Sequence, residues 1–164
     1  MEIRVVDFDV LTKNYTKYQE GILNLAKVRN SFIERMDPIK AEMESIINAA
    51  NSGLILDPQS QEEKNAKFNE LQNEAMSIDN EYKVTMKKEQ DELNKNTYDE
   101  LSQIINEYVS DKEIDLVMGK MEVVFVKENV EITEEILEDL KKRELFKGFD
   151  EPVEKKNIVV EDLR

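Results

Sequence analysis

Residues 11–50 read LTKNYTKYQEGILNLAKVRNSFIERMDPIKAEMESIINAA. Within them Leu11, Tyr15, Tyr18, Ile22, Leu25, Arg29, Phe32, Met36, Ile39, Met43, Ile46 and Ala50 recur at alternating steps of four and three. Only Arg29 interrupts the apolar run. A seam of this period belongs to a helix that packs on a partner along its whole length, as in a coiled coil. At 1.5 Å per residue a helix of about 40 residues reaches roughly 60 Å. The chain is therefore expected to build a long arm, and its function is expected to use one.

The partner helix follows at once. Gly53 supplies a C-terminal stop for the first helix, and Asn51 to Pro58 reads as a turn. Ser60 and Glu63 then fit a capping box. Phe68, Leu71, Ala75, Ile78 and Tyr82 continue a heptad. Met86, Gln90, Leu93, Thr97, Leu101, Ile104 and Tyr108 then drift toward an eleven-residue rhythm, which relaxes left-handed supercoiling. Pro38 removes one backbone donor inside the first helix and predicts a bend near Met36 and Asp37.

Outside the arm the pattern changes. Ile3 to Phe8 is short and β-branched and reads as a strand, with Asp9 capping the helix after it. Ile114–Met118 and Met121–Val126 read as two strands joined by a type II′ turn at Gly119-Lys120. Thr133 then caps a short helix with Glu134 and Glu135 in its first turn, Lys141, Lys142 and Arg143 in its last, and Ile136, Leu137 and Leu140 on its buried side. The expected organisation is a β body of 1–9 and 113–143 with the short helix, a helical-hairpin arm of 10–112 with its tip at about 51–60, and a charged tail of 144–164. The fold class is mostly α with a small β part.

Composition narrows the chemistry. Of 164 residues, 37% are charged, and His and Cys are both absent. The commonest general base, the commonest transition-metal ligand and every thiolate reaction are thus removed. A formal net charge of −14 opposes binding of nucleic acid through a basic face. No run approaches the ~18 apolar residues of a membrane span. Val5-Val6-Asp7-Phe8-Asp9 resembles the nucleophile strand of haloacid-dehalogenase phosphatases. Those enzymes need several βα units around the site, whereas most of this chain is committed to two helices. No enzyme, cofactor or metal site is expected, and clustered acids such as Glu134-Glu135 read as a solvated face.

Three short strands cannot close on themselves, and the exposed edges of a small sheet invite pairing with another copy. A homo-oligomer is expected, its β body joined through Val5, Leu116, Val117, Val124 and Phe125. Met and Tyr make the seam softer than an Ile/Leu zipper. Met36, Met43 and Met76, with Leu54-Ile55-Leu56 at the tip, are the candidate contacts for a partner protein.

With this element order in view, the chain resembles the Skp/OmpH family of periplasmic chaperones for outer-membrane proteins. The resemblance is sharpest from Ile114-Asp115-Leu116-Val117 through Val130-Glu131-Ile132-Thr133-Glu134-Glu135-Ile136-Leu137-Glu138-Asp139-Leu140, and in Val6-Asp7 at the end of the first strand. It implies a trimer with helical arms around a cavity that holds unfolded membrane-protein clients without ATP. The acidic charge and the N-terminus, which contains no basic segment followed by an apolar stretch, depart from that pattern. They keep open a cytoplasmic location as written, with a periplasmic one if a signal was replaced by a start Met. They also keep open an alternative function as a cytosolic, viral-type coiled-coil assembly scaffold.

Overall fold

A computed structural model describes residues 1–53 and 57–148. The Leu54-Ile55-Leu56 tip and the tail from residue 149 lie outside the described residues. The elements are β1 (Ile3–Val6), α1 (Phe8–Lys13), α2 (Thr16–Asn51), α3 (Pro58–Val109), β2 (Leu116–Gly119) and α4 (Thr133–Lys142), with 3₁₀ turns at Lys120–Glu122 and Glu128–Val130. The expected class, mostly helical with a small β part, is the class observed. The chain divides into two compact units, Met1–Glu20 with Lys95–Arg164, and Gly21–Asn94.

The second unit is a pair of antiparallel helices. Direction follows from its contacts, since Arg35 meets Glu81 and Phe32 meets Tyr82, while Gly21 lies against Leu93. Leu25, Phe32, Ile39 and Ile46 recur every seven residues along α2 and are all buried. Phe32, Ile39 and Ile46 pack with Leu71 and Ile78 of α3, and Val28, Met36, Met43, Phe68, Ala75 and Tyr82 line the same core. Each fully buried apolar side chain contributes about 1.5–3 kcal/mol. The helices are therefore held by their seam, since propensity alone is marginal at exposed positions. Gly53 ends the first arm at a φ of 70°, a left-handed conformation that glycine adopts without a Cβ clash.

Two expected caps differ. Asp57, not Ser60, caps α3: its carboxylate accepts from the Ser60 N–H at 3.0 Å and from the Ser60 hydroxyl at 2.9 Å. These bonds hold the Asp57 carboxyl below its ordinary range. Pro58 takes the first helical position, where a missing N–H leaves no bond unmade. At the N-terminus Asp7, not Asp9, caps α1, accepting from the N–H groups of Asp9 and Val10 at 3.1 and 3.2 Å. The long helix also begins later than expected: α1 ends at Lys13, and after the break at Asn14-Tyr15 α2 starts at Thr16. The gap is filled by Leu145–Lys147: the Thr16 N–H donates to the Leu145 carbonyl and the Lys147 N–H to the Asn14 carbonyl, each at 3.0 Å.

In the first unit, β1 and β2 pair in parallel, Ile3 opposite Leu116 through Val6 opposite Gly119. This corrects the expected C-terminal hairpin. Gly119 sits at φ −71° and ψ 140°, whereas a II′ turn needs positive φ there. The chain instead enters the 3₁₀ turn at Lys120–Glu122 and does not fold back on β2. The long-range partner wins because β1 brings the buried Val5 and Val6 beside β2. A lone two-residue turn offers no burial to compete. Lys120 Nζ is held by Glu131 at 3.1 Å and lies 3.9 Å from Asp7. The core beneath is Val6, Leu11, Tyr15, Leu101, Ile104, Ile105, Ile132, Ile136, Leu137 and Leu140. Tyr15, fully buried, donates its hydroxyl to Glu100 at 2.5 Å. Burial first, and then that bond and the Glu100 charge, push the phenol pKa well above its ordinary value.

Candidate functional site

Each unit carries one surface that its own packing leaves unsatisfied. In the helical unit this surface follows from heptad position. Leu25, Phe32, Ile39 and Ile46 point into the seam. Ile22, Arg29, Met36 and Met43 border it on one side, and Ala26, Ile33 and Ile47 lie one step further out on that flank. Val28 and Arg35 border the seam on the other side. There Arg35 forms a two-pronged bond with Glu81 at 3.1 and 2.9 Å and stacks over Phe32. One edge of the helix pair is thus closed by an ion pair. The opposite edge of α2 is apolar only in part: Ile22, Ile33 and Ile47 are exposed by 40, 42 and 46%, with the half-buried Arg29 and the exposed Lys40 between them.

The expected contact residues fall unevenly on this surface. Met36 and Met43 are half-buried against the core of the helix pair, at the margin of this flank. Met76 is largely exposed on α3. Leu54, Ile55 and Leu56 lie outside the described residues. Sequence reading missed Ile33 and Ile47, which stand two heptads apart one position beyond the seam, with Lys40 at the position between them. Arg29, seen in sequence only as an interruption, occupies a border position with its Nε buried and without a hydrogen-bond partner.

The β-containing unit presents the other surface. Val5 is buried and Val117 half-buried, while Leu116, Met121, Val124 and Phe125 are exposed, Val124 completely. Val123 is extended, at φ −118° and ψ 139°. Among the described residues, no strand pairs with the edge of β2 that faces away from β1. An open strand edge followed directly by exposed apolar residues is a surface that water solvates poorly. A groove beside the stacked rings of Phe8 and Tyr98 is lined by Ser102, Ile105, Asn106 and Val117 as well. A second, lined by Arg4, Lys112 and Tyr108 among others, also carries Glu2, Glu113 and Glu135, so it favours neither sign of charge.

Asp7, the first acid of the Asp-x-Asp pair, is engaged as a helix cap. Among the described residues, no group of three or more acids is placed to hold a metal ion. No described helix is long and apolar enough to cross a membrane.

Comparison with known families places the chain. The family model OmpH, "Outer membrane protein (OmpH-like)", matches residues 2–140. No curated protein matches the chain. The match spans β1 through α4 and contains the Ile114–Leu140 segment that carries the resemblance, and the chain belongs to the Skp/OmpH family, a family of periplasmic chaperones.

Proposed function

We propose that the protein is an ATP-independent holdase of the periplasm, a homotrimer that binds unfolded or membrane-protein clients through its helical arms. The observation that carries this reading is the partly apolar flank of α2, where Ile22, Ile33 and Ile47 stay in water beside Met36 and Met43. A helix pair that only needed to be a strut would put polar residues there. An unfolded chain offers the complementary apolar side chains, and methionine adapts to irregular partners at low cost. Leu54, Ile55 and Leu56, on the strength of their sequence alone, and the exposed Met76 are further candidate client contacts. The open edge of β2 with Val124 and Phe125 supports assembly through the β-containing unit, with Val5, Leu116 and Val117 as its inner residues. Binding by apolar contact needs no nucleotide, and its salt dependence is weak, because at a Debye length of about 8 Å the acidic surface acts only at short range.

Native mass spectrometry with and without a denatured outer-membrane barrel protein tests oligomer state and capture together. The expected result is a trimer that takes up client and suppresses its aggregation. A variant with Leu54-Ile55-Leu56 changed to Ser-Thr-Ser separates tip from arm: lost suppression with the fold intact places binding at the tip, and unchanged suppression places it on the arms. A parent protein that forms no client complex would overturn the holdase reading and leave an assembly scaffold in its place.

A further inference from the structure

The small sheet of the β-containing unit is open on one side. The Leu116 N–H donates to the Glu2 carbonyl at 3.3 Å, toward β1. Backbone groups alternate between the two edges along a strand, so Val117 and Gly119 turn theirs to the free side. Among the described residues, no strand meets them there. The groove beside Phe8 and Tyr98 is lined by Val117 and Gly119 of β2 and by no residue of β1, which sets it on that same side. Free backbone groups beside an apolar groove suit one added strand, whose alternate side chains enter the groove.

The chain itself supplies a strand of this kind. Ile158-Val159-Val160 is a run of β-branched residues between Lys155-Lys156 and Glu161-Asp162, a composition that favours extended backbone. Laid on β2, it turns Ile158 and Val160 to one face and Val159 to the other. It is also within reach. The Lys147 N–H donates to the Asn14 carbonyl, just past the end of α1. At the start of α1 the Phe8 ring lies against Gly119. That path is about 9 Å of helix and one ring contact. The ten residues from Phe149 to Ile158 extend to about 33 Å.

We infer that residues 157–161 dock as a third strand on the free edge of β2 in their own subunit, with Ile158 and Val160 in the groove beside Phe8 and Tyr98. A second copy competes for the same edge, but a tethered strand acts at an effective concentration of about millimolar. The tail therefore covers the edge in the single subunit and is a brake on assembly. The docking goes beyond the holdase reading, and only its consequence for assembly rests on the oligomer proposed there.

The first test compares dilute full-length parent with Ile158→Ser/Val160→Ser, which keeps length and charge. The Val117 and Gly119 amides should exchange hydrogen about tenfold faster in the variant. By native mass spectrometry the variant should assemble at lower concentration than the parent. Equal exchange in the two proteins overturns the docking. Faster exchange with weaker assembly would make the tail a strand given to a second copy, and overturns the assignment to its own subunit. Faster exchange with unchanged assembly keeps the docking and removes the brake. The second test uses the absence of cysteine from the chain. Glu122 lines the groove, so Glu122→Cys with Asn157→Cys places one reactive pair across the proposed contact. In a mixture of isotope-labelled and unlabelled protein, a short bismaleimide should join the pair within one chain, and the serine substitutions should abolish the link. Links between labelled and unlabelled chains, or a link that survives the serines, overturn the inference. Client capture enters neither test, so the inference can fail with the holdase reading intact.

Discussion

The backbone N–H of Asp7 donates to the hydroxyl of Thr133 at 2.9 Å, joining the end of β1 to the start of α4 across 126 residues of sequence. The same hydroxyl donates to Glu131 at 2.9 Å, and Thr133 is buried. Thr133 is thus a tie between chain ends and not the helix cap its position suggests, since α4 begins without a side-chain cap. Thr133→Val keeps the shape and strands the Asp7 donor, a loss of about 1–3 kcal/mol. Thr133→Ser should retain most of the stability. Urea unfolding of the three proteins decides it: equal losses in both variants would assign the effect to packing.

Val124 is fully exposed in the single chain, so an aspartate there is harmless to an isolated subunit. If the segment after β2 joins the subunits, Val124→Asp should yield monomers that keep their helical circular dichroism. A trimeric Val124→Asp protein would place the interface elsewhere.

The arms were legible and the β region only partly so, for one physical reason. A seam repeating every three to four residues is imposed by helix geometry, and Leu25, Phe32, Ile39, Ile46, Leu71 and Ile78, taken from that pattern, are all buried. Strand pairing is decided by partners far away in sequence. Gly119-Lys120 carries a local hairpin signal, but burial beside Val5 and Val6 outweighs it, so β2 pairs with β1. The docking of Leu145–Lys147 on the break at Asn14-Tyr15 has no local signature. Ile33 and Ile47, two heptads apart with Lys40 between them, were overlooked because only the seam positions were counted.

Gly21 sits inside α2, where glycine is unfavourable by about 1 kcal/mol against alanine. Its role is visible in Leu93, whose Cδ1 occupies the space that a Cβ at Gly21 would need. In Gly21→Ala overpacking against Leu93 costs about 1–3 kcal/mol and the gain in helix propensity offsets about 1 of it, so the net change should be a loss of up to about 2 kcal/mol. In a Leu93→Ala background the same change should stabilise the protein by about 1 kcal/mol. Equal effects in both backgrounds would show that the two positions are not coupled.

Pro38 is exposed, and α2 passes through it unbroken, so its lost backbone bond is the main term. Pro38→Ala should stabilise the helix pair by up to about 3 kcal/mol, less where water already serves the Glu34 carbonyl. The midpoint of urea unfolding should rise; an unchanged midpoint would mean that the backbone has already accommodated the proline.

The Arg35–Glu81 pair makes a prediction in pH. Hydrogen bonds from Arg35, and then its charge, hold the Glu81 carboxyl below the ordinary value of 4.5. A carboxylate with a depressed pKa in the folded state stabilises fully above its unfolded pKa. That contribution disappears as pH falls through the folded value. Acidification also relieves the self-repulsion of a chain with a net charge of −14 and a pI near 4.6, which acts in the opposite direction and masks the pair in the parent protein alone. The difference between parent and Glu81→Gln cancels most of that background. Their melting temperatures should be separated at pH 7, with the parent higher, and should converge as pH falls through the depressed folded value of Glu81. The separation should be small, since exposed ion pairs contribute little, and should shrink with added salt. A gap that persists unchanged at low pH would assign the effect of Glu81→Gln to lost packing, not to the charge on Glu81.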